Sequence, residues 1–171
     1  MRDAKRMSNM RELSLKDDIK ETVSSLLLKL PMFDEIDGEE LSIISGYMNY
    51  FELTKGRYLF KEGDEGNFIC FVVKGGIDII KKTGSGEPRT IATIHKGASL
   101  GEMSVIDKTS RSASARAKTD ATLLILSEKS FNILLDKHPK IGIKLLKGMT
   151  RILSLNMRRT SSLLADYMPT I

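Results

Sequence analysis

A chain of 171 residues, 41% hydrophobic and 29% charged, holds enough material for one packed domain with appended helices. Its net charge of +5 permits an anionic ligand without demanding nucleic acid, and its lone cysteine, Cys70, cannot form an internal disulfide, which fits a reducing, cytoplasmic setting. No apolar run is long enough to cross a bilayer, the N-terminal MRDAKRMSNMRELSLKDD lacks the apolar core of a secretory signal, and the absence of tryptophan leaves no aromatic platform for single-stranded nucleic acid.

In chain order, residues 1–24 read as a polar, helical extension, and residues 25–171 as the main domain. Ile19, Val23, Leu26, Leu27 and Leu30 recur at helical spacing until Pro31 ends the run. Asp37 predicts a helix cap, with Glu40 three positions on as in a capping box, for a helix carrying Leu41, Ile44 and Met48. From 51 to 126 turn signals such as Lys55-Gly56, Lys74-Gly75-Gly76 and Lys96-Gly97 recur about every ten residues, the rhythm of an all-β sandwich or roll. Strands are predicted at Phe68–Val73, Ile77–Lys81, Thr90–Ile94 and Ala121–Leu126, with TGSGEP (83–88) as an exposed hairpin tip. Helix returns after Ser127, and Pro139 opens a longer one. On it Leu146, Met149, Leu153, Met157, Thr160, Leu164 and Tyr167 fall at alternating three- and four-residue steps. That stripe either packs on the chain's own β domain or pairs two copies of the helix, and the second reading predicts a homodimer.

The residues that metal and covalent chemistry need are sparse. His95 and His138 stand far apart and there is one cysteine, so no His/Cys metal site is predicted; His95, beside a turn, reads as a surface residue. There is no GxxxxGK[ST] loop, no dinucleotide fingerprint after a strand and no nucleophile elbow. The chain is expected to be no enzyme, with no catalytic residues and no cofactor.

Chemistry concentrates instead in LGEMSVIDKTSRSASARA, Leu100 to Ala117. A phosphodiester needs inward-pointing main-chain N–H groups, a permanent cation able to form paired hydrogen bonds, and small neighbours. Gly101 permits close approach, residues 102–106 predict one short helical turn, Arg111 supplies the cation, and Ser112 and Ala113 supply a hydroxyl and small contacts. Glu102 would repel a phosphate beside it but suits a sugar hydroxyl a few ångströms away. A surface ion pair between Glu102 and Arg111 fits the same spacing equally well.

The sequences Gly101-Glu102-Met103-Ser104-Val105-Ile106 and Arg111-Ser112-Ala113-Ser114-Ala115-Arg116-Ala117 resemble the phosphate-binding cassette of cyclic nucleotide-binding domains, a family that includes catabolite-activator-type regulators and protein kinase A regulatory subunits. Pro31-Met32-Phe33, Lys55-Gly56, Glu62-Gly63-Asp64, Phe71-Val72-Val73-Lys74-Gly75-Gly76 and the final helix extend the resemblance over about residues 25–165. It implies an α+β, mainly β fold: an antiparallel β-roll of the double-stranded β-helix or jelly-roll type, flanked by N-terminal helices and a long C-terminal helix. It implies a site of Leu100, Gly101, Glu102, Met103, Arg111, Ser112 and Ala113. Glu102 would hold the ribose 2′-hydroxyl; Arg111, Ser112 and the N–H groups of Met103 and Ala113 would hold the cyclic phosphate. Ile79, Ile91 and Ala92 stand where the family places the base, and Asn156 where a helix residue contacts adenine; as a polar residue in a helix seam, Asn156 could equally set register.

Ser112, where guanine-selective domains often carry Thr, favours cyclic AMP over cyclic GMP. The expected function is a non-enzymatic receptor that couples ligand binding to movement of the C-terminal helix and signals to a downstream protein, without direct DNA or membrane contact. An interaction module that kept the fold and lost the ligand, or the sensor part of a transcription regulator without its helix-turn-helix, are the alternatives.

Overall fold

The computed structural model describes residues 11–13, 27 and 30–166. Most of the predicted N-terminal extension and first helix, and Tyr167 of the stripe, lie outside the described residues. Among the described residues nine strands form two sheets. One has the order β1-β2-β9-β4-β7, from Arg11–Leu13, Met48–Leu53, Ala121–Ser127, Phe68–Lys74 and Ser99–Leu100. The other has the order β3-β8-β5-β6, from Tyr58–Phe60, Ser114–Ala117, Gly76–Lys82 and Pro88–His95. Every pairing is antiparallel, so the β-roll and the flanking helices stand as expected.

Local chemistry sets most boundaries. A 3-10 turn at Pro31–Phe33 starts on its proline. Helix α1, Gly38–Ser45, begins in a reciprocal capping box: Glu40 N–H donates to Asp37 Oδ1 at 2.9 Å and Asp37 N–H to Glu40 Oε2 at 3.1 Å. Helix α2, Glu102–Asp107, is one short piece between left-handed residues Gly101 and Lys108. Ser127 caps helix α3, Glu128–Lys137, and Pro139 opens helix α4, Pro139–Ala165.

Two expectations need correction. Met48 does not continue the capped helix. That helix ends at Ser45, and Met48 opens β2 while its side chain still joins the helical core, so the apolar spacing was met by a strand residue turned to the same core. Arg11–Leu13, placed in the polar helical extension, runs as a strand beside β2, because backbone pairing at a sheet edge needs no apolar side chains.

The core has two parts. Leu27, Leu30, Met32, Phe33, Leu41, Ile44, Phe131, Leu134, Leu145 and Met149 pack helices against the outer side of the first sheet. Phe51, Phe60, Phe68, Ile77, Leu123 and Ile125 fill the roll between the sheets. Helix α4 divides along its length. Its first turns are buried at Ile141, Leu145 and Met149 and held by ion pairs: Lys144 to Glu40 at 2.7 Å, Arg151 to Asp34 at 2.7 Å and to Glu35 at 3.0 Å. Beyond Leu153 the heptad-like stripe is exposed, Met157 at 72% and Leu164 at 59%. The stripe therefore follows the first reading over its first part, where Met149 packs on the chain's own domain, while Met157 and Leu164 stand uncovered. No helix among the described residues is long and apolar enough to cross a membrane.

Candidate functional site

The segment 100–113 leaves the first sheet at β7, turns at Gly101 and re-enters the second sheet at β8. Gly101 is the N-cap of α2 at φ +87°, a left-handed conformation that costs glycine little. Its α-carbon also faces Arg111 and the carbonyl of Phe68 too closely for a side chain, so glycine is required twice over. Gly66 is likewise pressed on the Ser104 side chain, which locks α2 onto the loop before β4.

Arg111 is 2% exposed. Its Nη1 donates to the Gly101 carbonyl at 2.9 Å and its Nη2 to the Phe68 carbonyl at 2.8 Å. The guanidinium packs against two rings that meet edge to face, 4.2 Å from the Phe60 centroid and 4.5 Å from that of Phe68. The arginine main chain is fixed as well, with its N–H on the Asp64 carbonyl at 2.7 Å and its carbonyl accepting from Gly63 N–H at 2.9 Å.

Glu102 is the one buried carboxylate among the described residues, and accepts a hydrogen bond from Ser99 Oγ at 3.1 Å. Both charges reach Cys70 on β4: burial pushes its thiol far up, Arg111 draws it down and Glu102 raises it. The predicted pair is thus interior, not a surface ion pair. A buried carboxylate held by Ser99 and a buried guanidinium held by two carbonyls flank one turn, the arrangement that pre-organises polar groups for a ligand.

The other predicted residues divide. Leu100 is buried; Met103 is 51% exposed; Ser112 is exposed and Ala113 half-buried on the arm that carries Arg111. Ile79 and Ala92 are paired across β5 and β6, and Ile79 packs on the roll's core. Ile91 is 58% exposed. Asn156 stands apart from these three: with Arg159, Ile152 and Leu155 it lines a cleft of about 520 Å³ between α4 and the Thr93–Ser99 stretch. Ser99 joins the two regions, because it lines this cleft and also bonds Glu102. No group of three or more metal-ligating side chains occurs among the described residues.

Sequence reasoning missed Phe60 and Phe68, the rings packed on Arg111, and Ser99, the partner of Glu102. The signal for the first two was present: Phe60 closes β3 and Phe68 opens β4 on either side of the glycine-rich stretch 62–66.

The profile of the cyclic nucleotide-binding domain matches residues 50–138. The chain is 30% identical over 121 residues to a cyclic AMP receptor protein of Thermus thermophilus, spanning 71% of this chain and 56% of that protein. It is 32% identical over 100 residues to a lysophospholipase of Chaetomium globosum, spanning 58% of this chain but 7% of that protein. Among solved structures, a cyclic nucleotide-binding domain from Methylobacillus flagellatus superposes with a TM-score of 0.85 at 27% identity, covering 96% of this chain and 92% of that one.

Proposed function

The chain belongs to the cyclic nucleotide-binding domain family, and from that premise we propose that it is a non-enzymatic receptor for a cyclic nucleotide, cyclic AMP ahead of cyclic GMP. The observation that carries the reading is the turn at Gly101, which sets a buried Arg111 and a buried Glu102 on either side of one point in the roll. Glu102 takes the ribose hydroxyl. Arg111, with Ser112 and the N–H groups of Met103 and Ala113, takes the phosphate; Leu100 and Gly101 shape the turn. Ile79, Ile91 and Ala92 receive the base, and Asn156 reaches it from α4 once the helix moves, since in the position described it lines a cleft apart from these three. The cyclic AMP receptor protein of Thermus thermophilus supports adenine over guanine, as does Ser112.

A second copy of the chain is the partner we assign to α4, supported by the exposed Leu155, Met157, Leu163 and Leu164 on its distal half. Ligand binding shifts α4 only as far as its affinity for the two helix positions differs, and the helix then acts on a downstream protein in the cytoplasm. Calorimetry with cyclic AMP and cyclic GMP tests the receptor reading. Heat and a raised melting temperature with the wild type, both lost in Arg111→Ala, are expected. Neither signal at millimolar nucleotide would leave the interaction-module alternative standing.

A further inference from the structure

Between the arm that carries Arg111 and the neighbouring loop lies a bridge outside the assigned site. Lys81, near the end of β5, donates from Nζ to the carbonyl oxygen of Ser112 and to Glu62 Oε1 at 3.0 Å. Glu62 is fixed in turn: its Oε2 accepts from the Lys82 main-chain N–H at 3.2 Å, and its own N–H donates to Ser114 Oγ at 2.9 Å. The register that sets Ile80 opposite Ser114 brings the end of β5 alongside the start of β8, which is why Lys81 can reach the arm. Residues 111–114 are therefore held from two sides, by the main chain of Gly63 and Asp64 and by Lys81.

The peptide joining Ser112 to Ala113 is planar and trans, so its carbonyl and its N–H point in opposite directions. Tying the Ser112 carbonyl to Lys81 turns the Ala113 N–H the other way, away from Lys81. That N–H is one of the donors assigned to the phosphate. As an exposed ion pair, Lys81 and Glu62 would matter little. A charged donor on the carbonyl of this peptide matters because it sets the direction of a ligand-binding group.

We propose that Lys81, oriented by Glu62, is a positioning residue for nucleotide binding that sets the Ser112–Ala113 peptide for the phosphate, an inference that rests on the receptor reading above. The Glu62 carboxyl is held below the usual glutamate range, first by the Lys81 hydrogen bond and then by that of the Lys82 main chain.

Two measurements on the full chain test it. In the unliganded protein, Lys81→Met should speed amide exchange at Gly63 and Arg111, whose hydrogen bonds flank the bridge, by about 3- to 10-fold, with β9 amides unchanged. By calorimetry, Lys81→Met should weaken cyclic AMP binding by about 3- to 10-fold, and Lys81→Arg, which can donate to both acceptors, should recover most of it. Adding Glu62→Gln to Lys81→Met should cost little more, because both act through one bridge. Unchanged exchange at Gly63 and Arg111 overturns the proposal, as does wild-type affinity in Lys81→Met or equal weakening in Lys81→Met and Lys81→Arg. If the wild type binds neither cyclic AMP nor cyclic GMP, the receptor reading falls and this proposal with it; if the wild type binds and Lys81→Met binds as well, this proposal alone falls.

Discussion

The carbonyl of Gly101 accepts a hydrogen bond from Arg111 Nη1 at 2.9 Å, while the α-carbon of Gly101 faces that same guanidinium with no room for a methyl group. Gly101→Ala would add left-handed strain at φ +87° to an overlap with Arg111. The expected loss is about 2 kcal/mol or more of unfolding free energy, together with the nucleotide-induced rise in melting temperature. Urea denaturation and thermal melts with and without cyclic AMP measure both.

Arg111 is held by geometry that lysine cannot copy. Two nitrogens of one planar fork reach the carbonyls of Gly101 and Phe68 while the guanidinium packs against the rings of Phe60 and Phe68. Arg111→Lys should therefore lower stability by about 1–3 kcal/mol and abolish detectable nucleotide binding despite keeping the charge. Wild-type affinity in this variant would show that charge alone suffices.

Gly148 on α4 lies directly on the carbonyl of Met32, leaving no space for a side chain, whereas Gly38 at the start of α1 has open space around it. Gly148→Ala should separate α4 from the 3-10 turn and cost about 2–3 kcal/mol. Gly38→Ala should be neutral or stabilising by up to about 1 kcal/mol. Chemical denaturation of the two variants side by side distinguishes a contact effect from a general effect of replacing glycine.

The ion pair of Lys144 and Glu40 ties α4 to α1, and the hydrogen bond to Glu40 raises the lysine's pKa above its ordinary 10.5. A raised lysine contributes stability that is fully present below the ordinary value and is lost as pH rises through the folded one. The stability difference between wild type and Lys144→Met should hence stay flat at neutral pH and shrink above pH 10.5. A difference that shrinks on acidification through the neutral range would contradict this assignment.

Cys70 is wholly buried and its thiol is pushed far above the ordinary range by that burial. Thiolate is the reactive form, so native protein should resist thiol reagents, with labelling no faster than global or sub-global opening. Cyclic AMP should slow labelling further by binding only the folded state. Rapid, stoichiometric labelling of native protein would place Cys70 at an accessible surface.

What the sequence made legible was punctuation. The Asp37–Glu40 box, Pro31, Pro139 and the turn glycines each carry a local physical meaning, and the elements they bound fall within a residue or two of expectation. Gly101, Glu102 and Arg111 could be singled out because a lone acid and a lone arginine among small residues need a reason to be there. The partners of these residues were not legible. Phe68 and Ser99 meet the site only because β4 and β7 pair, and Lys81 reaches Ser112 only because β5 pairs with β8. Long-range register of that kind leaves no trace in local spacing. Met48 misled for the opposite reason, since helical spacing and a strand facing the same core place an apolar residue at the same position.

Among the described residues β6 pairs with β5 alone, which leaves its far side as an open edge of the second sheet. The stretch Thr90-Ile91-Ala92-Thr93-Ile94 carries no charge and no proline, and it is the part of the roll that presents Ile91 to water. An edge of this composition is a template on which another copy's strand can add, and here the protection comes from Arg89 before it and Lys96 after it. The strand to which the proposal assigns the base is thus also an edge open to aggregation. Removing those two flanking charges would be expected to lower the concentration at which the protein stays in solution before it changed the fold at all.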